Sequence, residues 1–388
     1  MKNWVVLPFC IMLAACVSEP PAPRADNLFN DQLFAPASQR ISADDVFALS
    51  PPMQQYLHSE EIAYQMHVKG MQQGLFDALY NKKQLKLDYN SEHTRNAAQT
   101  FAARSGNCLS LVIMTAAFAK QLGLPIEYQT VLIDQSWTRN DDIYFASGHV
   151  NITLGKKLSD VRTRFDQASL LTIDFLPPEE ISGQNRLDIG ENTVVAMYMN
   201  NQAAEALAQH QQDDAYWWVR EAIRQDPRFL ASYNTLGVIY RRHGNPQQAE
   251  RAFTQVLESE PDNTVVIFNL IDVLNELGQT ARAKALGARL AQLQPVAPFQ
   301  AFNLGMAAMR AGDYKTAKQQ FTKEIARDPY YHEFQYWLGI ACLRLGEIDQ
   351  AVQHLSIALE SSTTRSDHDL YAAKLDRVKS YRAPLLVH

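Results

Sequence analysis

Residues 109–122 (LSLVIMTAAFAKQL) are apolar on nearly every side, interrupted mainly by Ser110, Thr115, Lys120 and Gln121. A helix with no polar face has to be buried. Asn107 just ahead of it is a favoured N-cap residue, and Gly106 permits a tight turn. Gly123-Leu124-Pro125 stops it, because proline cannot continue the helix. The pattern therefore predicts a buried helix whose first turn holds Cys108. Downstream the period falls to two. Residues 126–134 are rich in β-formers and partly alternating. In residues 148–154, His149, Asn151 and Thr153 take one face, and Val150, Ile152 and Leu154 the other. Residues 170–175 read as a third strand, with Thr172 and Asp174 facing away from Leu171, Ile173 and Phe175. Short connections favour antiparallel pairing, and the polar stretch 137–142 reads as loop. Upstream, Ser42-Ala43-Asp44-Asp45 predicts a cap and a short helix to Leu49, stopped by Pro51-Pro52. Residues 53–80 are mostly helical in pattern, residues 81–90 form a polar turn region, and Thr94 is predicted to cap a helix that delivers the chain to Gly106.

From about residue 196 the pattern repeats. Pro227, Pro261, Pro295 and Pro329 are each 34 apart, as are Leu236, Leu270, Leu304 and Leu338, and Gly244, Gly278, Gly312 and Gly346. Ala215, Ala249, Ala283, Ala317 and Ala351 keep the same register. A period of 34 with small residues, a glycine turn and a closing proline marks tetratricopeptide repeats, helix–turn–helix units that bury their apolar faces by stacking. The array holds about five units. The first is degenerate, with Gln202 at the leucine position, and the last lacks its proline. Residues 369–381 are expected to cap the final apolar face. Cys342 falls on a core position of a first helix. Such arrays bind a peptide or protein on their concave face. Aromatics such as Tyr216, Trp217, Trp218, Tyr330, Tyr331, Tyr336 and Trp337 read as packing residues rather than groove lining.

Composition narrows the function. The chain has 388 residues, 46% of them hydrophobic and 20% charged, which suits two globular domains. A net charge of −6 argues against nucleic acid as a partner. The four cysteines, Cys10, Cys16, Cys108 and Cys342, show no paired spacing. Neither CxxC nor HExxH occurs, so no metal and no cofactor is expected.

Met1-Lys2 is a short basic start, and residues 4–14 form an apolar stretch of signal-peptide length, too short for a comfortable membrane span. It closes on Leu13-Ala14-Ala15-Cys16, which resembles the lipobox of bacterial lipoproteins. The resemblance implies cleavage before Cys16, acylation of its new N-terminus and firm anchoring by several acyl chains. Val17 is not the aspartate associated with inner-membrane retention. The expected location is therefore the cell envelope, at the outer membrane and facing the periplasm. Cys108 and Cys342 remain as free thiols there, an oxidation hazard which favours one of them being used.

The start of a buried helix favours the thiolate of Cys108. His149 lies on the alternating strand and Asp174 on the next. Thiol-dependent acyl transfer needs these three types: a thiolate attacks a carbonyl, an imidazole moves the proton, and a carboxylate holds the imidazole tautomer. On residues alone, Asp160 and Asp166 compete with Asp174 from a polar, loop-like stretch.

Arg104-Ser105-Gly106-Asn107-Cys108-Leu109-Ser110-Leu111, then Gly123-Leu124-Pro125, Gly148-His149-Val150 and Ile173-Asp174 resemble the transglutaminase-like superfamily, a papain-like α+β fold. The likeness is strongest to a bacterial branch often joined to tetratricopeptide repeats. It implies Cys108 as nucleophile, His149 as base and Asp174 as the orienting carboxylate. Some relatives in that branch lack the cysteine and are apparently inactive. Val150 follows His149, without the tryptophan usual near the transglutaminase histidine, so amide or peptide hydrolysis is expected ahead of cross-linking. The expected layout is a signal peptide over 1–15, a lipidated N-terminus and linker over 16–40, the transglutaminase-like domain over 41–192, the repeats over 193–362 and a capping helix and tail over 363–388. The alternative function is a scaffold whose papain-like domain is inert.

Overall fold

A computed structural model describes residues 25–80, 85, 87–91, 93–132, 137–140, 143–146, 149–156, 170–175, 185–294 and 299–382. Cys10, Cys16, Asp160 and Asp166 lie outside the described residues, and with them the lipobox.

The chain enters through the short 3-10 turns Asp26–Leu28, Asp31–Leu33 and Ala43–Asp45. The expected helix to Leu49 is reduced to the last of these. The two prolines begin a helix instead of stopping one. Pro51–Leu57 is α1, because a missing N–H costs nothing in the first helical turn. Glu60–Lys69 (α2) breaks at Gly70, whose φ of +84° suits glycine. Met71–Tyr80 (α3) then folds back so closely that a Cβ on Gly74 would stand 2.6 Å from Met66 Cα.

Residues Asp88–Tyr89 (β1) pair in parallel with Ser105–Gly106 (β2). Between them runs Ala97–Ala103 (α4), capped by Asn96 in a reciprocal box with Gln99. Thr94 is thus not the cap. Next come Cys108–Leu122 (α5), Ile126–Leu132 (β3), Trp137–Asn140 (β4), Ile143–Ala146 (β5), His149–Leu154 (β6), Leu171–Ile173 (β7) and Asn185–Ile189 (β8). The main sheet has the order β7-β6-β3-β8, with every pairing antiparallel. β4 and β5 form a separate antiparallel pair, so residues 137–140 are strand where polar composition predicts loop. Backbone pairing can secure a strand whose side chains alone do not announce it. Helix α5 packs on β6 and meets α3 and α4; ten of its side chains from Leu109 to Phe118 are all buried.

The second half is an array of helix pairs: Glu191–Ala208 (α6) with Gln212–Gln225 (α7), Leu230–Arg242 (α8) with Pro246–Ser259 (α9), and Thr264–Glu276 (α10) with Thr280–Leu293 (α11). Gln300–Ala311 (α12) with Tyr314–Ile325 (α13) and His332–Arg344 (α14) with Ile348–Glu360 (α15) follow, and Arg365–Arg382 (α16) covers the end. The repeated alanines are buried where paired helices meet. Gly237 and Gly305 leave room for the Phe253 and Phe321 rings, which would lie 2.5 Å from an added Cβ. The turns within the later pairs use Gly244, Gly278, Gly312 and Gly346, all at positive φ. The first pair has His210 there, at φ 60°. Cys342 is buried, and burial pushes its thiol up to about 11.

One apolar cluster runs from the sheet region through α5 and α6 into the third helix pair, and a second fills the last two pairs and the cap. Residues 25–40, expected as linker, are docked on this array. Phe34 stacks on Tyr216 at 3.9 Å, and Ser38 donates from N and Oγ to Asp214 at 2.7 and 2.6 Å. Trp217 Nε1 donates to the Ala35 carbonyl, and Tyr216 and Arg220 hold Asp31. Tyr216 and Trp217 thus serve packing, as expected, but their partner is the docked N-terminal segment.

Candidate active site around Cys108

The turn before Cys108 is built by four residues. Arg104 takes the left-handed conformation, φ 52°, so the tight turn falls there rather than at Gly106. Gly106 is required for space, since a Cβ would lie 2.7 Å from Ser110 Cβ and 3.2 Å from Thr100 Cγ2. Asn107 caps α5, its Oδ1 accepting from Ser110 N at 2.9 Å and Ser110 Oγ at 2.8 Å. A cap of this kind stabilises by about 1 kcal/mol. Cys108, the first helical residue, is half-buried.

His149 and Asp174 come together through strand register. β6 and β7 pair Thr153 with Thr172 and Ile152 with Ile173. The next step sets Asp174 opposite Asn151, with His149 diagonal to it on the same face. His149 Nε2 donates to Asp174 Oδ1 at 2.5 Å, and Asn151 Nδ2 donates to Asp174 Oδ2 at 3.1 Å. Both carboxylate oxygens are engaged, which fixes the plane of the group. Thr153 and Thr172 extend the polar row through their hydroxyls at 2.9 Å.

With Nε2 bonded to Asp174, Nδ1 is the ring nitrogen of His149 left for a second partner. Nδ1 is buried and makes no formed hydrogen bond among the described residues. The sulfur is near enough to act on the ring by hydrogen bonding and charge, but its approach falls short of formed hydrogen-bond geometry. Catalytic contacts are often loose before substrate binds. Burial of His149 works against the imidazolium; the Asp174 bond and the Cys108 side chain outweigh it and raise the ring to about 9. The arrangement can therefore keep a proton on the imidazole at neutral pH, between a sulfur and a carboxylate.

All three sequence-predicted residues, Cys108, His149 and Asp174, meet in one place. Asn151 is the member that sequence reasoning did not single out. Its signal was present: it lies two residues from His149 on an alternating strand, and is polar where it is fully buried. His58 Nδ1 donates to the Gln54 carbonyl at 2.7 Å, one helical turn back, and His93 pairs with Glu205 at 3.4 Å, so neither belongs to this site. Among the described residues no cluster of His, Cys, Asp and Glu could hold a metal ion. No helix among them is long and apolar enough to cross a membrane.

The tetratricopeptide repeat family matches the chain twice, over residues 240–302 and 302–366. Over residues 240–366 the array therefore consists of tetratricopeptide repeats. No curated protein matches the chain. Solved structures similar to it include YrrB, described as a TPR protein with an unusual peptide-binding site, at 22% identity over 46% of this chain and 92% of that one, with a TM-score of 0.25. MamA residues 41 to the end, from Desulfovibrio magneticus, is 19% identical over 44% of this chain and 96% of that one, at 0.26. A thermophilic TPR protein from Thermus thermophilus is 16% identical over 46% and 98%, at 0.29.

Proposed function

We propose that the chain is an envelope lipoprotein that performs thiol-dependent amide or peptide hydrolysis in a transglutaminase-like, papain-like domain, and recruits its protein or peptide substrate through the repeats. The observation that carries this reading is the buried imidazole of His149, bonded to Asp174 through Nε2 with Cys108 beside the ring. Thiolate attack of Cys108 on the amide carbonyl forms a C–S bond. Collapse of the tetrahedral adduct breaks the C–N bond, and the imidazolium hands its proton to the departing amine. Water then attacks the thioester, His149 takes its proton, and collapse breaks the C–S bond, releasing a carboxylic acid and restoring the thiolate and imidazolium. Asp174 holds the ring in the tautomer with Nε2–H and supports its charge. The N–H groups of Cys108 and Leu109, at the helix start, would receive the developing oxyanion. An amine in place of water would give transamidation, which comes second because no tryptophan follows His149.

The Leu13-Ala14-Ala15-Cys16 motif and the proline-rich stretch behind it support anchoring through a lipid on Cys16. The repeats support binding of an extended chain, since that is what stacked helix pairs offer on their concave side.

The test is acylation by an activated ester or amide probe, read by the mass of intact protein. A thioester adduct should form on Cys108, absent in Cys108→Ala and strongly slowed in His149→Ala. Absence of the adduct, with Cys108→Ala retaining the cellular phenotype while disrupted repeats lose it, would leave the inert scaffold as the function.

A further inference from the structure

The repeat array departs from its own pattern where it touches the segment ahead of Cys108. The leucine position of the repeat, filled by Leu236, Leu270, Leu304 and Leu338, is Gln202 in the first unit. Three residues on, Ile239, Val273, Ala307 and Ala341 give way to Glu205. Both exceptions lie on α6 and converge on Thr94. Gln202 Nε2 donates to the Thr94 carbonyl at 2.6 Å, and Glu205 Oε1 accepts from Thr94 N at 2.6 Å. Asn201 Nδ2 reaches the Thr94 hydroxyl at 3.1 Å. That hydroxyl also accepts from Asn107 Nδ2 at 2.9 Å, and Asn107 caps the helix that opens with Cys108. Arg95 N donates to Ser110 Oγ at 2.8 Å and Asn90 N to the Gly106 carbonyl at 3.0 Å, so the same segment grips the turn at two more points.

The far end of the array returns to this segment. Ser91 donates from N at 2.8 Å and from Oγ at 3.1 Å to the carbonyl of Thr363, in the link between α15 and α16. Asn90, Ser91, Thr94 and Arg95 are therefore held, between them, by the first helix of the array, by the link behind its last pair, and by the start of the helix that opens with Cys108. We infer that Gln202 and Glu205 are positioning residues that make this segment a coupling between the repeats and the sulfur: a change in the curvature of the array, of the kind a chain bound along it imposes, is passed through Thr94 to Asn107 and alters the placement of Cys108. This rests on the proposed role of Cys108 for its consequence, but not for its test.

The test uses the full chain and iodoacetamide as the probe, with the rate of Cys108 alkylation measured from pH 5 to 10 and buried Cys342 as the internal reference. Gln202→Leu restores the repeat pattern, so the array should keep its fold. Alkylation of Cys108 should nevertheless slow by about fivefold, the effect of losing one buried hydrogen bond, and its pH profile should move. Thr94→Val should slow it at least as much, and Thr94→Ser, which keeps the hydroxyl, should return the wild-type rate. Should Gln202→Leu fail to fold, the Thr94→Val and Thr94→Ser pair decides. Wild-type rates and an unmoved profile in both Gln202→Leu and Thr94→Val would overturn the coupling. The nucleophile assignment fails on a different result, namely a wild-type alkylation rate that His149→Ala leaves unchanged.

Discussion

The repeats and the sheet region solve opposite packing problems. In the array each contact recurs: Ala249 and Ala317 fill equivalent contacts, and Phe253 and Phe321 lie on Gly237 and Gly305 in the same way. Losing one unit's contact leaves its counterparts intact. In the sheet region the polar row His149, Asn151, Thr153, Thr172 and Asp174 occurs once, and each member answers to a specific partner. A buried polar group without its partner costs about 1–3 kcal/mol, so such a row survives only if it is satisfied or used. Periodic apolar contacts thus build the scaffold, and the unrepeated polar ones mark the place where chemistry is held.

The largest effect should come from breaking the array. Phe253→Ala removes a fully buried ring against α8 and should cost about 3–5 kcal/mol, read by denaturant unfolding. The hydrogen bond between His149 and Asp174 should survive in that variant while it remains folded. The next effect belongs to the polar row. His149→Ala should slow acylation of Cys108 by about 10²–10⁴-fold, measured by single-turnover kinetics with the ester probe. A smaller change follows Asn151→Ala, which removes one donor from Asp174; about 1–3 kcal/mol of stability should go, and the ring of His149 should titrate lower. The smallest is Asn107→Ala, expected to cost about 1 kcal/mol by thermal melting through loss of the cap on α5.

The pH dependence sharpens the same contrast. His149 is raised in the folded chain from 6.5 to about 9. Its contribution to stability is therefore complete below pH 6.5 and is lost as pH rises through about 9. Unfolding measured between pH 6 and 10 should show this loss in the wild type, and the loss should shrink in Asp174→Asn. Acylation should weaken over the same range, as the imidazolium that protonates the leaving group disappears.

How much of this was legible in the sequence differs by region for a physical reason. The array was readable because every unit repeats its own evidence at a fixed period: Gly244, Gly278, Gly312 and Gly346 mark the turns, and Pro227, Pro261 and Pro329 the ends. The helix from Cys108 to Leu122 was readable from its apolar run and its cap. The triad residues could be nominated by type and alternation, but their meeting depends on the β6–β7 register, which local pattern does not encode. Thr94 looked like a helix cap because it precedes a helical run, yet Asn96 has the better geometry and Thr94 is drawn into tertiary bonds. The prolines at 51 and 52 carried two meanings, stop and start, and only the register of α1 selects between them. Residues 25–40 looked like linker because their anchoring partners, Asp214, Tyr216 and Arg220, are far away in sequence.

The most direct measurement is an NMR titration of the His149 ring in the wild type and in Cys108→Ala. The ring should keep its proton through neutral pH, titrate near 9 in the wild type, and titrate lower once the sulfur is gone. A ring that titrates near 6.5, or one whose titration does not respond to removal of the sulfur, would contradict it.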